Sequence, residues 1–175
     1  MSNAPTPLVL GGISILQHAG AGPIRQRYEP IGGSTSLRLN GGTGIKMTNW
    51  SRTSTTASGS GNLDPGLFAL DVSQPLELLC VAPRAMIGTT RQFALPPAAQ
   101  RRPDVAPWGW AYAGGRWLDT NVDMNGDSAE LQAVVGASAY RVFWLPRLVV
   151  FTPGLSYEFD EASGLYDWSL SAEEI

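Results

Sequence analysis

The chain has 175 residues, a length that suits one domain or two small lobes and buries a sizeable core without disulfides or metals. Its formal net charge is −3 and its longest basic run is Arg101-Arg102, which argues against binding to nucleic-acid phosphates. Only 15% of the residues are charged, whereas glycine and proline together contribute 33, so the composition favours a turn-rich β protein whose surface is hydroxyl-rich or partly covered by partners.

A single cysteine, Cys80, excludes an internal disulfide and any cysteine-cluster metal site. It lies in the apolar run of residues 76–81, which predicts a buried structural thiol in a core strand. The N-terminus lacks the basic and apolar regions of a signal peptide, and no apolar run approaches the roughly 20 residues of a membrane helix. We therefore expect assembly in a cytoplasm and no membrane partner.

Residues 30–80 are built almost wholly from glycine, serine, threonine and alternating apolar residues. The first strand of this segment shows the period-two pattern of a half-buried strand, because polar residues separate Thr35, Leu37 and Leu39. Asn40-Gly41-Gly42 follows and supplies the positive φ angles that a tight hairpin turn needs. The pattern therefore predicts a hairpin centred on these three residues.

The rest of this segment predicts two more strands and a short helix. In the second strand, alternation places Ile45, Met47 and Asn49 on one face and Trp50 on the other. The threonine-rich residues 52–58 form the third strand. Asp64-Pro65 then offers an N-cap followed by proline at the first helical position, which predicts one short helix over residues 65–70.

The C-terminal half begins with a proline-rich stretch, residues 95–107, which predicts an extended and semi-rigid linker. It separates an N-terminal β-rich lobe, residues 1–94, from a small β-sandwich-like lobe, residues 108–175, although one continuous domain is the alternative. Gly114-Gly115 and Asn125-Gly126 mark two hairpin turns in the second lobe. The fold class that we predict is all-β, sandwich or barrel-like, with many short antiparallel strands and at most one short helix.

The order of turns and tryptophans along the chain resembles a known family. The pattern GGST-LR, GTGIK-T-W, T-SGSG and PGL-ALD-SQPLEL-C-APR occupies residues 32–84, and it continues as APWGWA, GRW, GASAYRVFWLP and WSLSAEE. This pattern resembles the minor tail or tail-tip (baseplate) structural proteins of long-tailed bacteriophages, the Pseudomonas-type siphophages, over most of the chain. The resemblance implies a virion tail component that is assembled in the bacterial host cytoplasm.

Candidate catalytic and metal groups each have a simpler structural interpretation. The only histidine, His18, lies in a Gly/Ala loop with no serine or acid pattern beside it, so no hydrolase site is indicated. Residues 119–127 contain D-x-N-G-D, which suits a hairpin turn better than a calcium loop because further ligands at EF-hand spacing are missing. Four acids near the C-terminus flank a Ser163-Gly164 turn, where charged residues normally face water: Glu158, Asp160, Glu161 and Asp167. We therefore expect no enzymatic activity and no cofactor or metal.

The tryptophans of the C-terminal half allow two interpretations, a packing role and a ligand-binding role. Trp108 and Trp110 share a strand face, and Trp117 across the Gly114-Gly115 turn extends it. Such a face packs in a core or protein interface, or it forms a platform on which sugar rings stack. The second interpretation gives the alternative function, a carbohydrate- or receptor-binding module.

The leading hypothesis from the sequence is a structural minor tail protein at the tail tip or baseplate of a phage. Its partners would be other copies of itself, arranged in a ring or sleeve, and neighbouring tail proteins, with neither nucleic acid nor membrane. We expect subunit contacts at strand edges and at the loops of residues 31–36, 41–44 and 58–63, and we expect Arg52, Arg101 and Arg102 to bind acidic residues of neighbouring subunits. The candidate interface residues are Ile31, Gly33, Ser34, Thr43, Arg52, Leu63, Arg101 and Arg102.

Overall fold

The computed structural model describes residues 6–15 and 22–175. Within them the chain folds into fifteen β-strands, with a single turn of 3₁₀ helix at Ala98–Gln100 and no longer helix. The strands are β1 (Leu8–Leu10), β2 (Ile13–Ile15), β3 (Arg25–Arg38), β4 (Gly44–Gly61), β5 (Leu76–Leu79), β6 (Arg84–Gly88), β7 (Gln92–Ala94), β8 (Trp108–Ala113), β9 (Arg116–Thr120), β10 (Val122–Asn125), β11 (Ser128–Leu131), β12 (Ala137–Trp144), β13 (Arg147–Phe151), β14 (Leu155–Asp160) and β15 (Leu165–Glu174). The predicted all-β class is confirmed, and its sandwich form is the one that the sheets support.

The predicted helix over residues 65–70 is wrong. This segment contains only bends and turns, and the Asp64 side chain accepts a hydrogen bond from the backbone N–H of Gly66 at 2.6 Å. Gly66 has φ +72°. An Asx-type turn with a left-handed glycine therefore replaces the first helical turn that Asp64-Pro65 suggested.

The chain divides into two compact units, one of residues 1–78 with 149–175 and the other of residues 79–148. This division differs from the expected lobes at 1–94 and 108–175. The cause is long-range strand pairing, because C-terminal β15 pairs with β4 from Tyr166↔Gly61 to Glu173↔Ser54. The proline-rich residues 95–107, expected to be a linker between lobes, lie wholly inside the second unit.

The first unit is built on one sheet with the strand order β2-β1-β5-β13-β15-β4-β3, and β14 pairs with β15 outside this path. Trp168 of β15 is buried and lies opposite Gly59 of β4. A Cβ atom at Gly59 would come within 2.7 Å of the Trp168 ring, so only glycine allows the indole to lie on the strand. Beside it the buried face continues with Leu170, Ala172 and Ala57.

The second unit is a small sandwich of a four-stranded sheet, β6-β12-β8-β9, and a three-stranded sheet, β10-β11-β7. Both sheets contribute side chains to one buried cluster: Phe93, Leu95, Ala111, Ala129, Leu131, Tyr140, Val142 and Trp144. Gly114 and Gly115 join β8 to β9 with φ of +59° and +78°, the geometry of a type I′ hairpin turn. Gly126, with φ of +61°, and Asp127 join β10 to β11 directly after Asn125, which pairs with Ser128, so a hairpin turn lies at both predicted places.

Candidate assembly surfaces

One largely exposed part of the first unit is the distal half of the β3–β4 hairpin, residues 31–52, which we call the arm. β15 pairs with β4 only as far as Ser54, so beyond that residue the arm is a two-stranded ribbon of β3 and β4. Every residue of β4 from 44 to 52 is exposed. The turn at the tip contains Gly41 and Gly42, with φ of +116° and +86°, as the Asn40-Gly41-Gly42 pattern predicts.

One face of the arm carries a stripe of apolar side chains. The register places Leu37 opposite Ile45, Thr35 opposite Met47, and Gly33 opposite Trp50, so these six residues share a face. Four of them are large and solvent-exposed: Leu37, Ile45, Met47 and Trp50. Isolated soluble domains rarely expose such a contiguous apolar surface unless it binds something.

A β-bulge creates this stripe, and it corrects two expectations. The register passes from Gly33↔Trp50 to Ser34↔Thr48, so Asn49 is one extra residue in β4. The bulge moves Trp50 to the face of Met47, whereas plain alternation predicted that these two residues lie on opposite faces. The second and third strands expected at residues 45–50 and 52–58 are also one continuous strand, β4.

Close packing at the bulge requires glycine. A Cβ atom at Gly33 would lie 2.6 Å from the Trp50 indole nitrogen, so the indole lies across Gly33. At Gly32 a Cβ atom would meet the Trp50 carbonyl oxygen at 2.5 Å. The two glycines therefore hold Trp50 in the apolar stripe, because any larger side chain would displace it.

The base of the arm is tied to the C-terminus of the chain. Arg52 Nε donates to the carbonyl oxygen of Ile175 at 2.5 Å, and the Thr53 backbone N–H donates to Glu174 Oε2 at 2.9 Å. The arm contains three cations, Arg38, Lys46 and Arg52, and no acid. It is therefore a basic, apolar projection with an anchored base.

The hairpin of β14 and β15, residues 155–168, has the opposite charge. We call it the acidic hairpin because it contains Glu158, Asp160, Glu161 and Asp167 and no cation. Hydrogen bonds to Asp160, from the Ser163 hydroxyl at 2.6 Å and from the Ala162 backbone N–H at 3.0 Å, hold the pKa of this exposed carboxyl below its usual value. Asp160 is therefore ionised at neutral pH, and the four acids flank the turn as the sequence predicts.

Aromatic side chains occupy the other face of the acidic hairpin. Phe159 lies opposite Tyr166 with ring centroids 4.7 Å apart, and Tyr157 is 6.4 Å from the same Tyr166 ring. Tyr157 and Phe159 remain more than half exposed. Beside them is an open cavity of about 350 Å³ whose lining includes Leu155, Tyr157 and the almost fully exposed Phe68. The hairpin thus presents an apolar surface with acids on its reverse side.

The second unit has an aromatic outer surface on its four-stranded sheet, at the residues predicted as a ligand platform. Trp108 and Trp110 are half-buried and both pack on Phe143, with ring centroids 5.5 Å and 4.6 Å away. Trp117 lies directly opposite Tyr112, and their centroids are 5.2 Å apart. The three tryptophans share one face, as expected, but Phe143 and Tyr112 engage part of each ring.

Arg101 and Arg102 do not lie on the surface, which differs from the expectation that they clasp a neighbouring subunit. Arg102 is buried and forms a forked pair with Asp104, at 2.7 Å and 3.0 Å, while it also donates to the Cys80 carbonyl oxygen at 3.0 Å. Arg101 pairs with Asp127 at 2.7 Å. Both arginines bind acids of their own unit, because the proline-rich stretch folds back into that unit instead of linking lobes.

The remaining predicted interface residues fall into two places. Five of them belong to the arm: Ile31, Gly33, Ser34, Thr43 and Arg52. Leu63 is 58% exposed and follows β4 at its other end, where Gly61 pairs with Tyr166 of the acidic hairpin. The sequence indicated the turn of the acidic hairpin and its four acids, but the exposed aromatic surface of Tyr157 and Phe159 was not among the predicted sites.

Other candidate groups add no chemistry in the described part of the chain. Cys80 is fully buried, as predicted. Among residues 6–15 and 22–175, no group of three or more His, Cys, Asp and Glu side chains is placed to hold a metal ion. His18 lies outside the described residues. No helix in the described ranges is long and apolar enough to cross a membrane.

No protein-family model matches the chain, and neither a curated protein nor a solved structure matches it.

Proposed function

We propose that the chain is a non-enzymatic structural component of a bacteriophage virion, a minor tail protein at the tail tip or baseplate. The observation that carries the proposal is the arm, which exposes an apolar stripe on an otherwise unsupported two-stranded ribbon. An isolated hairpin is only marginally stable in water, so such a ribbon gains stability when a partner covers it. The sequence resemblance to phage tail-tip proteins supports a virion tail as the assembly that supplies this partner.

Low charge supports the same proposal. Only 15% of the residues are charged, and two of the eleven arginines are buried in internal ion pairs. A free monomer with few surface charges and an exposed apolar stripe is prone to associate. In a ring or sleeve of identical subunits, these properties favour ordered assembly with other copies and with neighbouring tail proteins.

The location of the protein in the virion tests the proposal directly. In purified particles of the phage that encodes the chain, mass spectrometry should detect it in several copies per particle, and immunogold labelling should mark the distal tail. A tape-measure gene directly upstream of its own gene would agree with this location. Particles that lack the chain, or gold label confined to the head, would overturn the proposal.

A carbohydrate- or receptor-binding module is the second candidate function. The observation in its favour is the aromatic outer surface of the second unit, where Trp117 and Tyr112 are exposed beside Trp110. Exposed aromatic rings stack on the apolar faces of sugars. Host-cell oligosaccharides should then quench tryptophan fluorescence in the wild type, and the effect should disappear in Trp117→Ala. Quenching that is unchanged in Trp117→Ala, or no quenching at all, would count against this candidate.

A further inference from the structure

The arm and the acidic hairpin lie at opposite ends of the same strand. β4 begins at Gly44 in the arm and ends at Gly61, which pairs with Tyr166 of the acidic hairpin. β4 has 18 residues, which at ~3.3 Å per residue give a contour of roughly 60 Å. Arg52 at the base of the arm and Gly59, which lies opposite Trp168 of the acidic hairpin, are seven positions apart along β4, so roughly 23 Å of strand separates the two projections within one chain.

We propose that the arm of one copy docks on the acidic hairpin of the next copy, so that the chain assembles head to tail. This inference rests on the proposed structural function and names the two surfaces through which it operates. Its occupant is a second copy of this chain, because the chain itself carries both complementary surfaces. Arg52 shares the stripe face with Ile31, whereas Arg38 and Lys46 lie on the reverse side of the arm. The acids likewise lie on the reverse side of the hairpin, so charge acts through the opposite net charges of the two segments, three cations against four acids.

The apolar faces also suit this arrangement. In β3 the arm stripe continues through Ile31. The neighbouring Pro30 pairs with the buried Thr53 and therefore lies on the buried face, so Ile31 and the stripe lie on the opposite face of the sheet. The aromatic side of the acidic hairpin instead shares the buried face, since Leu155 lies opposite Leu170 and Leu170 opposite Ala57. By register, the two apolar surfaces thus face opposite sides of the sheet. When a second copy is shifted along the direction of β4 and is not turned over, its arm stripe faces the aromatic side of the acidic hairpin of the first copy.

The cavity beside Tyr157 provides a receptor for the arm. Its volume of about 350 Å³ is in the range of small binding pockets, and six of its eight lining residues have aliphatic or aromatic side chains. Interfaces gain most of their binding free energy from a few large side chains that fill such pockets. Trp50 and Met47 are the exposed large side chains near the middle of the arm stripe. Apolar contact therefore supplies the affinity, and the opposite charges speed the encounter and set its polarity.

Charge argues against the symmetric alternative, in which two arms pack on each other. Such a contact would place two segments of like net charge beside each other, because each arm has three cations, Arg38, Lys46 and Arg52, and no acid. Two acidic hairpins, each with four acids and no cation, would likewise repel each other. Head-to-tail contact is heterologous, and repeated heterologous contacts form a ring when the rotation closes. This is the kind of assembly that a tail ring requires.

A mixing experiment tests the inference with two blocked variants. Met47→Glu places an acid in the arm stripe, where docking would bury it against the acidic hairpin. Tyr157→Glu places an unpaired acid on the aromatic face of the hairpin. Both residues are more than half exposed, so neither change removes core packing. Each variant alone should associate on the order of a hundredfold more weakly than the wild type, since a buried unpaired charge is costly.

The equimolar mixture gives the decisive result. The Tyr157→Glu chain has an intact arm and the Met47→Glu chain an intact hairpin, so the mixture should form a 1:1 dimer. The other possible contact, between the arm that carries Met47→Glu and the hairpin that carries Tyr157→Glu, would bring two glutamates together. The dimer should therefore not add further copies. Analytical ultracentrifugation and native mass spectrometry measure these species. Val135→Glu is the matched control, because Val135 is 99% exposed and lies outside both surfaces. It should assemble like the wild type.

Several outcomes would overturn the inference. One is a mixture that stays monomeric while the wild type assembles, and another is assembly that Met47→Glu abolishes but Tyr157→Glu leaves intact, which indicates arm-to-arm contact. A wild type that stays monomeric at every concentration also overturns self-docking. The location in the virion is measured separately, so the proposed function can survive each of these results. Near-identical melting temperatures of the variants would establish that altered association does not reflect unfolding.

Discussion

The arm of the first unit and the sandwich core of the second unit use the same kinds of residue for different purposes. In the second unit, a Cβ atom at Gly109 would meet Leu131 at 2.6 Å, so glycine allows the two sheets of the unit to pack closely. In the arm, Gly33 similarly makes room for Trp50, but the indole remains half exposed. Close packing stabilises the fold in one region and shapes an exposed apolar stripe in the other.

The difference teaches that large apolar side chains in this protein have two separate tasks. Leu131 has no exposed surface, and its removal would affect folding. Met47 is 52% exposed, and its removal would affect association. Substitutions in the two regions should therefore separate stability from assembly.

The largest effect should come from the sandwich core. Leu131→Ala removes a side chain that contacts the opposing sheet, leaves a cavity, and should lower the free energy of unfolding by about 3 kcal/mol. Urea denaturation followed by tryptophan fluorescence measures this loss. If Leu131→Ala changed stability by less than Met47→Ser, the assignment of the core would be incorrect.

A smaller loss should follow from Arg102→Ala in the same unit. The substitution removes the forked pair with Asp104 and the hydrogen bond to the Cys80 carbonyl oxygen, and it should cost about 2 kcal/mol of stability. Arg91→Ala is the control, because Arg91 and Glu130 are both more than 40% exposed and their pair should contribute about 0.5 kcal/mol. Equal losses in the two variants would show that Arg102 acts as a surface residue.

The Arg102 pair should also make the stability of the second unit depend on acid. The hydrogen bond from Arg102 lowers the pKa of Asp104 below its ordinary value of 3.8. The contribution of Asp104 is therefore fully present above that ordinary value and is lost as the pH falls through the lower pKa of the folded state. Asp104→Asn should reduce this acid-dependent loss in denaturation measured at a series of pH values between 5 and 2. A profile identical to that of the wild type would contradict the role of the pair.

The smallest effect on stability should come from the arm. Met47→Ser replaces an exposed side chain and should change the free energy of unfolding by less than about 0.5 kcal/mol. It should nevertheless weaken association measurably in sedimentation experiments, because the apolar stripe loses a central member. A large loss of stability with unchanged association would reverse the contrast between the two regions.

Local patterns predicted much of the secondary structure. Period-two alternation, glycine pairs and the single cysteine correctly indicated the all-β class, three hairpin turns and a buried thiol. The errors arose where a local signal competed with a distant partner. Asp64-Pro65 resembled a helix start, but no amphipathic stretch follows that could pack a helix, and the residues form turns.

The candidate surfaces show the same limit. The sequence by itself determined that residues 31–52 are rich in turn formers, poor in acids and able to form exposed strands, because these properties are set by each residue and its neighbours. Only the tertiary structure decided that Arg101 and Arg102 are buried, since their partners Asp127 and Asp104 are brought to them by folding of the proline-rich stretch. It also decided, through one extra residue at Asn49, that Trp50 joins Met47 on a single face. Strand register and long-range pairing depend on the whole sheet, so no local pattern specifies them.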